Sequence, residues 1–334
     1  GERRVLELAE RYGTDTLFAV FHEIISYGER RMRERLKLIP KGVYKAEDCL
    51  EDIDGSDDGL TWIRTTLERR DDGLSVSFSG TDPQVDTPFN AVFGVTLSAT
   101  YFAVKSITDP DGPMNEGTLM PVEVSAPEEC LVNPKTPAPV SGGNLETAQR
   151  IADVVFKALA QALPDRVPAA SHGSMNNVMV GGFDPERKRQ WVFYETIGGG
   201  SGGRPGKDGV DGIHCNMTNT MNTPIEAIEQ YYPMLFEQYE LRYGSYGAGK
   251  WRGGCGIKRS WTLLAPSAEL TVLGERTKIA PWGLMGGQPG GLGAYWVRKK
   301  GGKKEKIKSK STLTLNKGDT LIIETPGGGG YGAP

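Results

Sequence analysis

The 334-residue sequence predicts an α+β fold, strand-rich with a few packed helices, on three observations. Apolar residues recur at helical spacing over residues 2–37 and again over 145–163. Short alternating runs such as LSVSFSG (74–80), bounded by Gly, Pro and Asp turns, fill much of the remainder. Helices and strands do not alternate strictly, so a doubly wound parallel sheet is the poorer fit. With 38% apolar residues the chain can bury a real core.

In chain order, Val5, Leu6, Leu8 and Ala9, then Leu17, Phe18, Val20, Phe21, Ile24 and Ile25, mark two helices broken near Gly13. A helix that starts at residue 2 with no cap before it predicts a chain that begins inside a larger structure. Residues 42–78 read as antiparallel strands with acidic turns at 52–59 and 69–73. The apolar stretch 89–107 is long enough for a buried helix, and proline-rich strand and loop follow to residue 143. Asn144 is placed as the N-cap of a helix over 145–163. Beyond it come short strands and turns, except for a helix at 224–232 with Pro224 in its first turn and Thr223 as its cap. Eight Lys or Arg among residues 298–310 predict a solvated hairpin tip. The chain divides into residues 1–140, a helical start followed by a strand-rich region, and residues 141–334, a helix followed by a glycine-rich region; the two are separate or form one continuous domain.

Composition excludes several classes. The balance of 39 basic and 42 acidic residues gives no field that would gather nucleic acid or an anionic membrane. Cys49, Cys130, Cys215 and Cys255 are far apart and form no C-x-x-C, which argues against a zinc site or a disulfide framework and for a reducing, cytoplasmic setting. No apolar run approaches the roughly 18 residues of a spanning helix, and GERRVLELAERYG is no signal peptide.

The stretch GGGSGGRPGKDGVDGIHCNMTNT (198–220) carries the chemistry-bearing residues. A phosphate loop of the G-x-x-x-x-G-K-[ST] type fails, because Ser201 stands where glycine is needed and Asp208 follows Lys207. Gly198, Gly200 and Gly203 do spell G-x-G-x-x-G, yet RPGKDGVDG follows where a dinucleotide fold needs a helix. What remains is a backbone that packs closely or takes positive φ at many positions. His214 is the candidate general acid or base. Arg204 and Lys207 are candidates to bind phosphate or carboxylate. Asp208 and Asp211 would orient His214 or bind a cation, although Asp-Gly pairs are also common turn signals. Asn176 and Asn177, near His172, are candidates to donate to a carbonyl or oxyanion, and Asn219 is a further substrate-binding candidate.

Residues 194–233, the block YELRYGSYGAGKWRGGCGIKR (239–259) and TPGGGGYG (325–332) resemble the hydantoinase B family, which includes the C-terminal half of 5-oxoprolinase and the alpha-type subunits of acetone and related carboxylases. Blocks at 79–85, 121–150 and 170–182 follow in the family's order, so the resemblance covers nearly the whole chain. It implies a component of an ATP-dependent cyclic-amide hydrolase, acting on a carbonyl phosphorylated by a hydantoinase A-type partner subunit that binds the ATP. Its alternatives are a subunit of an ATP-dependent ketone carboxylase and a non-catalytic assembly subunit of either enzyme. The implied state is a hetero-oligomer whose small-molecule substrate is a cyclic amide or a ketone. Relatives usually carry a further N-terminal segment with carboxylate and imidazole metal ligands, so the resemblance places a divalent metal outside this chain, in a chain carrying that N-terminal half. Many relatives also have a second histidine before M-T-N-T, where Asn216 stands here.

Overall fold

Gly13, with φ of 80°, separates α1 (Glu2–Tyr12) from α2 (Thr14–Leu36). An L-residue would meet a steric cost of roughly 1–2 kcal/mol in the left-handed region, so glycine lets one helix end and the next begin with no connecting loop. α1 buries none of its residues, and α2 buries only Leu17, Gly28, Met32 and Leu36. Val5, Leu6, Leu8, Phe18, Phe21 and Ile24 are left facing solvent.

The computed structural model describes residues 1–53 and 58–334, so residues 54–57 of the expected acidic turn lie outside the described residues. β1 (Gly42–Glu51), β2 (Leu60–Arg69) and β3 (Leu74–Ser77) pair antiparallel in sequence order. β4 (Val122–Ser125) then joins β3 in parallel, after a crossover through α3 (Phe93–Thr108) and the short α4 (Glu116–Leu119). Period-2 alternation along β2 turns Ile63 and Leu67 inward. They share a core with Ile151, Val155 and Leu159 of α5 (Ala148–Ala162), which packs on β1 and β2. The start of this helix differs from expectation. Gly143–Thr147 form a π-helical turn that runs into α5, and Asn144 lies inside that turn instead of capping it. The cause is tertiary: a Cβ on Gly143 would overlap the Asn90 carbonyl, and Thr147 Oγ1 donates to Phe89 O, so residues 89–91 hold the helix start.

The second part of the chain is built from two facing antiparallel sheets. β5 (Asn177–Asp184), β6 (Arg189–Thr196), β9 (Ser267–Leu273) and β12 (Lys310–Asn316) form one, in the order β12-β9-β5-β6. β7 (Met234–Arg242), β8 (Gly256–Leu263), β10 (Ala294–Arg298), β11 (Lys304–Ile307) and β13 (Thr320–Glu324) form the other, in the order β11-β10-β13-β8-β7. Val180, Leu270 and Val272 from the first meet Trp261, Val297 and Leu321 from the second in a common core. The expected helix near 224 is α6 (Ile225–Tyr231), with Pro224 in the capping position and no side-chain cap from Thr223. The α+β expectation therefore holds.

The basic run does form the β10–β11 hairpin, but its lysines are not all solvated. Lys299 donates to Asp319 at 2.8 Å, Lys304 lies 4.0 Å over the Trp296 ring, and Lys310 is buried, 2.5 Å from Glu275. Register explains Lys310: it pairs with Leu273 of β9, two residues before Glu275, in the sheet opposite to that of the hairpin.

The glycine-dense loop lies against other backbone. Residues 198–203 run beside 209–212, 253–254 and 327–330: Gly254 N donates to Ser201 O, Gly328 N to Gly254 O and Gly203 N to Gly329 O, at 2.8–2.9 Å. A Cβ on Gly200 would overlap Gly254 O, and one on Gly328 would overlap Ser201 O. None of the glycines at 198–203 has positive φ. Of the two reasons for glycine here, close approach is the operative one, and positive φ is confined to Gly206 and Gly212 in this region.

Candidate functional site

Residues 213–224 leave the glycine bundle and wall a cavity of about 550 Å³, lined by His214, Asn219, Thr220, Asn222, Glu226 and Tyr239 among others. Ile213 is tied to the bundle by reciprocal backbone bonds with Gly199, at 2.8 and 3.1 Å, which places His214 at the cavity wall. His214 is half-buried, its ring nitrogens are shielded from solvent, and neither has a side-chain hydrogen-bond partner among the described residues. Burial holds its pKa below the ordinary histidine value, against an opposing hydrogen bond to the Thr196 backbone, and so favours the uncharged ring. A neutral imidazole can accept or deliver one proton.

The floor is rigid. Tyr239 donates to Asn222 Oδ1 at 3.1 Å, and Asn222 Nδ2 donates to Thr196 O at 3.0 Å. Beneath them the buried Arg259 guanidinium forms a bidentate pair with Glu195, both bonds 2.9 Å, and sits 4.4 Å from the ring centres of Phe236 and Tyr239. Cys215, beside His214, has its thiol pushed up to about 12, chiefly by burial, and stays protonated at neutral pH. Among the described residues no three His, Cys, Asp or Glu side chains converge as a metal site, and no helix is long and apolar enough to cross a membrane.

Of the residues singled out by sequence, His214 and Asn219 meet at this cavity. Asp208 and Asp211 turn to Arg252 instead. Asp208 Oδ1 accepts from Arg252 N at 2.9 Å, while Asp211 holds the Arg252 guanidinium at 2.7 and 3.1 Å and accepts from Cys255 N at 2.7 Å. The Arg252 bond holds Asp211 below the ordinary carboxylate value. Arg204 and Lys207 close a tight turn through reciprocal backbone bonds and carry exposed side chains. Asn176 and Asn177 are fully buried. Asn176 donates to Ile197 O and accepts from Tyr295 Oη; Asn177 donates to Glu146 and accepts from Tyr194 Oη.

The hydantoinase B/oxoprolinase family model matches residues 1–334. The chain belongs to this family. It is 49% identical over 334 residues to an uncharacterized protein of Methanocaldococcus jannaschii, covering 100% of this chain and 57% of that protein. It is 34% identical to a 5-oxoprolinase of Dictyostelium discoideum over 99% of its own length and 25% of the relative's. The crystal structure of an ATP-dependent caprolactamase from Pseudomonas jessenii superposes with a TM-score of 0.89 at 30% identity, covering 100% of this chain and 59% of that one. This hydantoinase B/oxoprolinase chain thus spans a quarter to three fifths of the proteins it matches.

Behind the cavity of this family member lies a buried charge cluster that sequence reasoning missed. Arg276 bonds Asp48 at 2.9 and 3.1 Å and Asp153 at 2.8 Å; Arg150 stands 3.4–3.5 Å from Asp48, Asp153 and Glu275. A signal existed: Arg150 and Asp153 sit three apart inside an otherwise apolar helical stretch. Glu146 completes the cluster. Its Oε1 accepts from Met175 N and Asn177 Nδ2, and Oε2 has no partner among the described residues. Burial, then the charge of Glu275, pushes its carboxyl up to about 8, against the pull of Lys310. The folded state therefore holds a proton that the unfolded chain releases near the ordinary carboxylate value, and this group's contribution to stability drains as pH rises from about 4.5 to about 8. Glu146→Gln keeps the acceptor and removes the titration. Its stability relative to wild type is expected to rise from pH 5 to pH 8 by on the order of 1 kcal/mol per pH unit, measured by urea unfolding at each pH. A pH-independent difference would show that Glu146 is ionised in the fold.

Proposed function

We propose that this chain supplies the amide-opening part of an ATP-dependent cyclic-amide hydrolase of hydantoinase, oxoprolinase or lactamase type, with His214 as its acid–base group. The observation that carries this reading is an imidazole without a side-chain hydrogen-bond partner, set in the wall of a cavity of about 550 Å³. An amide is a poor electrophile, and phosphorylation of its oxygen by an A-type partner that binds ATP makes its carbon attackable. His214 takes a proton from the attacking water and gives it to the ring nitrogen as the C–N bond breaks. The acyl phosphate that remains releases phosphate to a second water. Asn219 and Thr220 line the same cavity, which supports a role for them in donating to the substrate's oxygens.

The exposed apolar face of α1 and α2 supports a second part of this reading, assembly with the remaining polypeptide of the longer relatives and with the ATP-binding subunit. Arg204 and Lys207, on their exposed turn, are proposed to meet the phosphorylated group from that partner's side. The test is turnover in the assembled enzyme, with ATP and a panel of cyclic amides, of wild type and His214→Ala. The variant is expected to lose at least about tenfold in kcat/KM, about 1.4 kcal/mol or more of transition-state stabilisation. Undiminished turnover would overturn the assignment of His214, and bicarbonate-dependent consumption of a ketone in place of hydrolysis would assign the chain to carboxylase chemistry.

A further inference from the structure

Two histidine-bearing segments converge on one buried carboxylate. Asn216, two residues after His214, has φ of 56°, a left-handed conformation that asparagine tolerates better than most L-residues. Its side-chain amide donates to Asp153 Oδ1 at 2.9 Å. The other oxygen of Asp153 faces the second segment. A Cβ on Gly173, itself at φ of 58°, would come within 2.5 Å of Asp153 Oδ2 and 3.0 Å of Arg276 Nε, so the chain after His172 lies directly on this ion pair. His172 is fully buried, and its ring packs on Gly199, the residue bonded to Ile213 just before His214. Asp153 is itself fixed from elsewhere in the fold, by Arg276 at 2.8 Å and Arg150 at 3.4 Å, and Arg276 is held in turn by Asp48 of β1.

We propose that Asp153 is a positioning residue: bonded to Asn216 through one oxygen and packed on Gly173 beside the other, it sets the segments carrying His214 and His172 against each other and fixes where His214 stands in the cavity wall. The inference rests on the reading of His214 as the acid–base group. It extends the working site from the cavity surface into the buried cluster, through a helix residue that touches no substrate.

Four variants of the assembled, ATP-dependent enzyme test it: Asn216→Gly, Asp153→Asn, His214→Ala and the double variant Asn216→Gly/His214→Ala. Glycine accepts the left-handed backbone without strain and removes the tether, so Asn216→Gly is expected to stay folded, with a lowered thermal midpoint, and to keep the wild-type KM while kcat falls about tenfold. In the His214→Ala background the same change is expected to cost nothing further, because the group it positions is gone. Asp153→Asn is expected to follow Asn216→Gly, and Asn216→Gly alone decides if the aspartate variant does not fold. Wild-type kcat in Asn216→Gly beside an impaired His214→Ala would overturn the positioning role and leave the site reading intact. A full additional loss in the double variant would show that the tether is merely structural. Unimpaired His214→Ala would bring down the site reading, and this inference with it.

Discussion

Gly200→Ala and Gly328→Ala are each expected to abolish the native fold. A methyl group at either position has no side chain to push aside: at Gly200 it overlaps the Gly254 carbonyl, and at Gly328 the Ser201 carbonyl. Both carbonyls accept bundle hydrogen bonds, Gly254 O from Gly328 N at 2.9 Å and Ser201 O from Gly254 N at 2.8 Å. Relief requires one backbone segment to leave the bundle, and the loss of several ladder bonds puts the expected cost above about 5 kcal/mol, at the extreme of single substitutions. Gly206→Ala is the control. It has positive φ but nothing within 4 Å of its Cβ position, and only the left-handed strain of roughly 1–2 kcal/mol is expected. Circular dichroism and the yield of folded protein for the three variants check the claim. Native yields of Gly200→Ala would show that the bundle is looser than its hydrogen bonds suggest.

Arg276→Met should have the next largest effect. The substitution leaves Asp48 and Asp153 buried with only the more distant Arg150 as cation, and removing one partner from a buried charge cluster costs about 3–5 kcal/mol. The loss is expected to come mainly from the stranded carboxylates. The triple variant Arg276→Met/Asp48→Asn/Asp153→Asn should accordingly recover part of the stability, the rest being lost because Arg150 then keeps only Glu275 as an anionic partner, whereas Arg276→Lys should not, since an ammonium cannot reproduce the forked contact with two carboxylates. Denaturant midpoints for the four proteins check this. A triple variant as unstable as Arg276→Met would mean that packing around the Arg276 stem, and not charge, carries the cost.

What could be read from the sequence was local. The break at Gly13, the helix that became α3 and the helix after Pro224 follow from periodicity and chain-breaking residues within one window. His214 is legible for a similar reason: it stands where a glycine-dense stretch gives way to polar residues, and the structure places it at the cavity wall with Asn219. The long-range pairings were not legible. Lys310 looks solvated inside a basic run, and only its pairing with β9 brings it to Glu275. Asp208 and Asp211 share a loop with His214 in sequence, yet Arg252, 41 or 44 residues away, draws both carboxylates to itself. Arg150 and Asp153 could be seen to violate the apolar pattern of their helix, but their partners come from β1 and from the loop after β9, which no short window contains.

The glycine bundle also sets an order of events in synthesis. Its strands come from residues near 200, 254 and 328, so the scaffold that presents His214 cannot close until the last of these has left the ribosome, more than a hundred residues after His214 itself was made. Contacts of such long sequence separation form late and slowly. During that interval the half-made sheets stand with open edges, and residues 198–203, all glycine but Ser201, present backbone with almost no side chains to shield it, able to pair with any edge it meets. A nascent chain of this kind depends on being kept apart from its copies. Slow passage through the codons for residues 255–327 would therefore be expected to lower the yield of folded protein more than slow passage anywhere upstream of residue 198.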